Sequence, residues 1–91
     1  MTHTEFYEKW WHFQERGAGA ELLEIAHPTA LMYLDQEFTK YRDSLDNPDM
    51  FIWSQIKMKY GSARIYTSAP SRLESVWQDR VTEIIHQPNQ L

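Results

Sequence analysis

The sequence predicts an α+β fold, and three observations carry that expectation. Residues 51–67 alternate between apolar and polar about Gly61-Ser62, the mark of a β-hairpin. Residues 71–87 follow directly with apolar positions at helical spacing, between Pro70 and Pro88. Residues 3–44 carry helical stripes interrupted at Gly17 and Pro28. The expected order is therefore N-terminal helices over about 3–16, 20–26 and 28–44, one antiparallel hairpin with strands over about 50–60 and 63–68, and a C-terminal amphipathic helix over about 71–87.

Thr2-His3-Thr4-Glu5 has the form that caps a helix start, and Gly17 suits the end of that helix. At about 100° per residue, Phe6, Trp10 and Phe13 form the centre of an apolar stripe with Tyr7 and Trp11 at its edge. Glu5, Glu8, His12 and Glu15 occupy the opposite side, which is either a solvated face or a dock for a basic partner. Gly17-Ala18-Gly19-Ala20 reads as a flexible joint and lacks the Lys-Ser/Thr pair of a phosphate loop. A short helix from Glu21 to Ala26 ends at His27-Pro28, because a residue before proline avoids helical geometry while proline suits a first helical turn. The next helix runs from Pro28 to about Ser44 with Leu31, Leu34, Phe38, Tyr41 and Leu45 as its stripe, leaving Met32 and Tyr33 off it. Asp46-Asn47-Pro48-Asp49 is a turn into the first strand.

With Gly61 and Ser62 as a two-residue loop, Tyr60 faces Ala63, Met58 faces Ile65 and Ile56 faces Thr67. One face then holds Ile52, Ile56, Met58, Tyr60, Ala63 and Ile65, the expected core side. The other holds Phe51, Trp53, Gln55, Lys57, Lys59, Arg64 and Tyr66, three aromatics among three cations. Ser71-Arg72-Leu73-Glu74 has the form of a capping box for the last helix. Its stripe is Leu73, Val76, Trp77, Val81, Ile84 and Ile85, and Pro88 stops it.

Ninety-one residues fit one small domain spanning 1–91, near the lower limit for a core without staples. There is no cysteine, hence no disulfide framework and no thiolate zinc site, which suits a reducing cytoplasm. No apolar run approaches the roughly 20 residues of a membrane span, and the first residues lack the basic and apolar regions of a secretory signal. The net charge of −4 opposes general polyanion binding but permits a local basic patch. Four Trp, five Tyr and four Phe either fill a small core economically or anchor a partner surface.

Glu24-Ile25-Ala26-His27 and Glu83-Ile84-Ile85-His86 both match the Glu-x-x-His element of di-iron bundles. On the last helix, however, Glu83 lies roughly 100° and His86 roughly 160° from the apolar centre, so both point outward. His27 precedes a proline that breaks the required helical frame. No Gly-x-Ser-x-Gly elbow occurs, and turn and cap roles account for Ser62, Ser68 and Ser71. The expectation is a protein that is not an enzyme and carries neither metal nor cofactor.

Two binding readings follow. In the first, the chain is an inhibitor or adaptor that docks a protein through the hairpin's aromatic-cationic face or the edge of the first helix. Trp53 and Tyr66 would anchor, Lys57, Lys59 and Arg64 would pair with acidic groups, and Tyr7 and Trp11 would supply the helix edge. The competing structural account has the last helix on one sheet face and the first helices on the other, which makes Phe51, Trp53 and Tyr66 core. The second reading is a winged-helix-like nucleic-acid-binding regulator, with Glu21 to Leu34 as helix-turn-helix and the hairpin as wing. Ala30, Leu31, Met32, Tyr33, Asp35 and Glu37 then stand where base-reading polar side chains are usual. A homodimer through an unpaired hairpin edge is a further expectation, with Lys57, Lys59 and Arg64 partly opposing it.

The segment Gln55-Ile56-Lys57-Met58-Lys59-Tyr60-Gly61-Ser62-Ala63-Arg64-Ile65-Tyr66 resembles one in small phage and bacterial proteins that read Gln-Ile-Lys-x-Lys-Phe-Gly-x-x-Arg-x-Tyr before a polar loop and a helix. The resemblance covers about a third of the chain, through His86. It implies a phage or prophage setting and, through it, action by binding a host protein, without supplying an activity. Many of those relatives carry paired cysteines, which this chain lacks, so no zinc-binding role is carried over.

Overall fold

The computed structural model describes residues 1–15 and 22–87, with the side chain of Leu22 left aside. The protein is α+β, with α1 (His3–Trp10), β1 (Leu22–Leu23), α2 (Pro28–Asp43), β2 (Trp53–Lys59), β3 (Ser62–Thr67) and α3 (Ser71–His86). Single 3₁₀ turns, Trp11–Phe13 and Pro48–Met50, follow α1 and precede β2. The sheet order is β1-β2-β3, with β1 parallel to β2 and β2 antiparallel to β3.

Local signals set most helix limits. Thr2 caps α1 through a complete capping box: its hydroxyl accepts from the Glu5 N–H at 3.1 Å, and Glu5 Oε1 accepts from the Thr2 N–H at 2.9 Å. That backbone hydrogen bond, with help from the Thr2 hydroxyl, holds the Glu5 carboxyl below its ordinary value. Pro28 opens α2 as expected, and the His27 imidazole caps it by accepting from the Ala30 N–H at 3.3 Å. The α3 capping box does not form. Pro70 occupies the cap position without a side-chain bond, and Glu74 is spent elsewhere. The first helix is shorter than the expected 3–16: α1 ends at Trp10 and one 3₁₀ turn follows. Gln14 is already extended (φ −77°, ψ 134°) because it bridges Trp53 at the sheet edge. The expected stops at Gly17 and Pro88 and the joint 17–20 lie outside the described residues.

The expected short helix over 20–26 is overturned where it can be seen. Leu22 and Leu23 pair with Gln55 and Ile56 as strand, and residues 24–27 are not helical. Edge pairing outweighs a one-turn helix, which gains almost nothing alone because nucleation is costly. Upstream, Gln14 bridges Trp53, and the Glu15 N–H donates to the Trp53 carbonyl at 2.7 Å. Residues 14–15 and 22–24 thus lie along the β2 edge, and no helix-turn-helix exists across 22–34, so the winged-helix scaffold is lost.

The hairpin departs from expectation in two ways. Its loop is Tyr60-Gly61, with φ of 53° and 79°, so Lys59 faces Ser62 and Met58 faces Ala63. Two positive φ values match the strand twist that a tight hairpin needs. Each partner has moved by two positions from the Gly61-Ser62 pairing, so every side chain keeps its face. The second departure is a bulge: Trp53 faces Thr67 and Gln55 faces Tyr66, leaving Ser54 as an extra residue. That insertion reverses face parity upstream of it. Phe51 and Trp53 enter the core with Ile56, while Ile52 turns out to solvent, as does Tyr60 at the loop.

One contiguous core results. It joins Phe6 and Trp10 of α1, Leu31, Leu34 and Phe38 of α2, and Trp77, Val81 and Ile84 of α3 with Ile56, Ala63 and Ile65 of the sheet. All three helices therefore lie against the same sheet face. Phe38 sits at the middle, with ring centroids 5.0 Å from Phe51, 5.2 Å from Trp77 and 5.4 Å from Trp10. Val76, expected in the α3 stripe, is exposed because it lies at the rim of the helix face.

Helix α3 also closes the β3 edge. Glu74, Gln78 and Thr82 accept from the outward N–H groups of Thr67, Ile65 and Ala63, the last two at 3.0 and 2.8 Å. Four helical residues advance about 6 Å and two strand residues about 6.7 Å, so the helix and strand stay in step for three bonds. With β1 and residues 14–15 on the other edge, dimerisation through an unpaired hairpin edge has lost its template among the described residues.

Candidate functional site

Because the helices share one side, the other sheet face is uncovered among the described residues. The register places three cross-strand pairs on it: Gln55 with Tyr66, Lys57 with Arg64, and Lys59 with Ser62. Lys59 and Tyr66 are exposed and the other four are half-buried. This is the expected cationic face, less its first two aromatics.

The cations on this face are unpaired among the described residues, as is Arg72 on α3, whereas the other four described Lys and Arg side chains have carboxylate partners. Lys9 lies 2.8 Å from Asp35 and Lys40 3.3 Å from Glu37, while Arg42 pairs with Asp43 and Arg80 with Glu83. Lys57, Lys59 and Arg64 have no carboxylate within ion-pair distance among the described residues. Lys57 and Arg64 are direct cross-strand neighbours, and like charges so placed repel. Lys59 Nζ lies 5.6 Å from the Tyr60 ring centre, the tip aromatic being 92% exposed.

The expected site residues divide three ways. Lys57, Lys59, Arg64 and Tyr66 come together on the open face. Trp53 is corrected to core: it is fully buried, packs on Phe6, and its indole N–H donates to the Trp10 carbonyl at 2.8 Å. The bulge at Ser54 is the cause. Tyr7 and Trp11 are surface residues, 38% and 39% exposed, but their element packs on the helical side of the sheet. The structure therefore does not join them to the cations. Neither competing account of the sheet holds as posed, since Phe51 and Trp53 are core while Tyr66 is open.

Sequence reasoning missed the ground beside Tyr66. A shallow depression of 210 Å³, lined by Glu15, Ile52, Ser54, Thr67 and Ser68, opens at the bulged end of the hairpin. Ile52 is 43% exposed there, and the Ser54 hydroxyl donates to the Tyr66 carbonyl at 3.3 Å. The polar Ser54 inside an otherwise strand-like run was the available signal for a bulge.

The Glu-x-x-His motifs take structural roles. His27 is the α2 cap, His86 Nε2 lies 2.7 Å from the Gly61 carbonyl, and Glu83 pairs with Arg80. Among the described residues no group of three or more His, Asp or Glu is placed to hold a metal ion. None of the described helices is long and apolar enough to cross a membrane. Comparison with family models, curated proteins and solved structures finds no match to this chain.

Proposed function

We propose that the protein is a non-enzymatic interaction module, an inhibitor or adaptor, which docks another protein on the open face of its sheet. One observation carries the reading: Lys57 and Arg64 stand opposite each other on an uncovered face with no carboxylate partner among the described residues, in a chain of net charge −4. Such repulsion costs stability in the free protein and is relieved by an anionic partner. Tyr66 adds a half-apolar ring with a polar tip, the kind of side chain that anchors interfaces. A phage or prophage setting and a cytoplasmic location belong to the same proposal, so bacterial lysate is the appropriate source of partners.

The test is affinity purification of the tagged protein from nuclease-treated bacterial lysate, beside a Lys57→Glu/Arg64→Glu variant, with mass spectrometry of the retained proteins. The expected result is a stoichiometric protein held by the wild type and lost by the variant, while thermal melts of the two remain alike. Equal retention by both removes this face from the function. Loss of all retained material on nuclease treatment replaces the protein partner with nucleic acid.

A further inference from the structure

We infer that the segment docked on this face is an extended acidic stretch of the partner carrying one apolar anchor residue, with its carboxylates four and six positions from that anchor. The inference rests on the proposed docking role and names the chemistry of what docks. It follows from the order of groups along the strands. Ile52 and Ser68 lie beyond the bulge, where the Ser68 N–H donates to the Ile52 carbonyl at 2.8 Å. Tyr66 and Gln55 come one step along, Arg64 and Lys57 two, and Lys59 and Ser62 lie next to the turn. Each step spans two residues, about 6.7 Å. A partner chain running extended along the strands has the same repeat, so alternate side chains meet successive pairs.

The two ends ask for different chemistry. Beside Tyr66 the exposed Ile52 lines the 210 Å³ depression, smaller than the roughly 300–1,000 Å³ of small-molecule pockets and suited to a single side chain. Glu15 on its rim disfavours an acid at that position and so fixes polarity: apolar group at the depression, acids toward the turn. Beyond it, Arg64 offers a planar fork for a carboxylate, and Lys57 and Lys59 add point charges.

A nucleic acid fits this surface less well. Three cations neutralise about three phosphates, which gives weak and steeply salt-dependent binding. Sheets that read RNA stack two or three bases on aromatics, and here Tyr66 is the aromatic on the face. A long polyanion would also leave the patch for the surface of a net acidic protein.

The experiment pans a random 12-residue peptide library displayed on phage against the wild-type protein, with counter-selection on Lys57→Glu/Arg64→Glu. Selected peptides are then synthesised, titrated by fluorescence anisotropy, and mapped by amide chemical shifts. The expected winners carry Leu, Ile, Phe or Met with Asp or Glu four and six residues away, and shift the amides of residues 52–68. Their affinity should fall at least tenfold in the double charge reversal, several-fold in Ile52→Ser, and with added salt. Should the reversal unfold the protein, Lys57→Gln/Arg64→Gln takes its place.

Neutral apolar peptides binding the same amides would overturn the acidic class and leave the docking face standing. Peptides that shift only other regions, or none at all, would overturn both. A fluorescent twelve-nucleotide oligo-dT that binds more tightly than the best peptide would overturn the inference in favour of nucleic acid. Concentration-dependent shifts of the same amides without peptide would overturn it in favour of a second copy of the chain.

Discussion

Gln78→Ala tests the contact by which α3 closes the β3 edge. Gln78 Oε1 accepts from the Ile65 N–H at 3.0 Å, and Ile65 is itself fully buried. Removing the acceptor forfeits a net hydrogen bond of about 1 kcal/mol, and a donor left dry would raise the loss toward about 3 kcal/mol. Gln78 is only half-buried, so water can reach part of the vacated position, which places the loss nearer the lower end. Alanine's better helix propensity offsets a few tenths of a kcal/mol. The expected net loss is therefore about 1–2 kcal/mol, against about 5–14 kcal/mol for a whole domain of this length. It corresponds to a fall in Tm of roughly 4–15 °C.

The assay is urea unfolding followed by circular dichroism, with native-state hydrogen exchange at the Ile65 amide and exposed Asp79→Ala as the control. The control should stay within about 0.5 kcal/mol. Opening the whole edge with Glu74→Ala/Gln78→Ala/Thr82→Ala should in addition produce concentration-dependent self-association in sedimentation velocity, since a bare strand edge recruits another strand. If Gln78→Ala behaves like Asp79→Ala and the Ile65 amide keeps its protection, the edge-closing role of α3 is wrong.

Other consequences are as concrete. Trp53→Ala removes a fully buried indole and its bond to the Trp10 carbonyl, so a loss of about 3–5 kcal/mol is expected in the same urea assay; a wild-type melt would return Trp53 to the surface. Tyr60→Asn should stabilise the hairpin by about 0.5–1 kcal/mol, because Tyr60 holds a φ of 53° that asparagine tolerates and its exposed ring loses little packing; a lower midpoint would contradict the strain argument. The Glu5 carboxyl is held below its ordinary value of 4.5 by the Thr2 backbone, so its contribution is present above that pH and is lost as pH falls through the lower folded value. Glu5→Gln should accordingly flatten the acid limb of the stability profile without changing its alkaline side, and an unchanged acid limb would count against the capping box.

Much of this protein was legible in its residues, for a local reason. The α+β class, the bounds of α2 and α3, the Thr2 capping box and most of the buried stripes arise within a turn or two of helix or a few strand residues. The grouping of Lys57, Lys59, Arg64 and Tyr66 survived a one-residue error in the turn, because moving each partner by two preserves strand parity. What the chain does across long separations was settled only in three dimensions. Leu22 and Leu23 are strand because Gln55 and Ile56 offer them an edge, and Glu74 leaves its own helix cap because Thr67 presents a more demanding donor. The Ser54 bulge exchanged Ile52 for Phe51 and Trp53 in the core, since only the helical layer can decide which parity buries the larger rings. Local propensity thus determined the elements, while competition among distant partners for one core and two sheet edges decided which face of the sheet was left open.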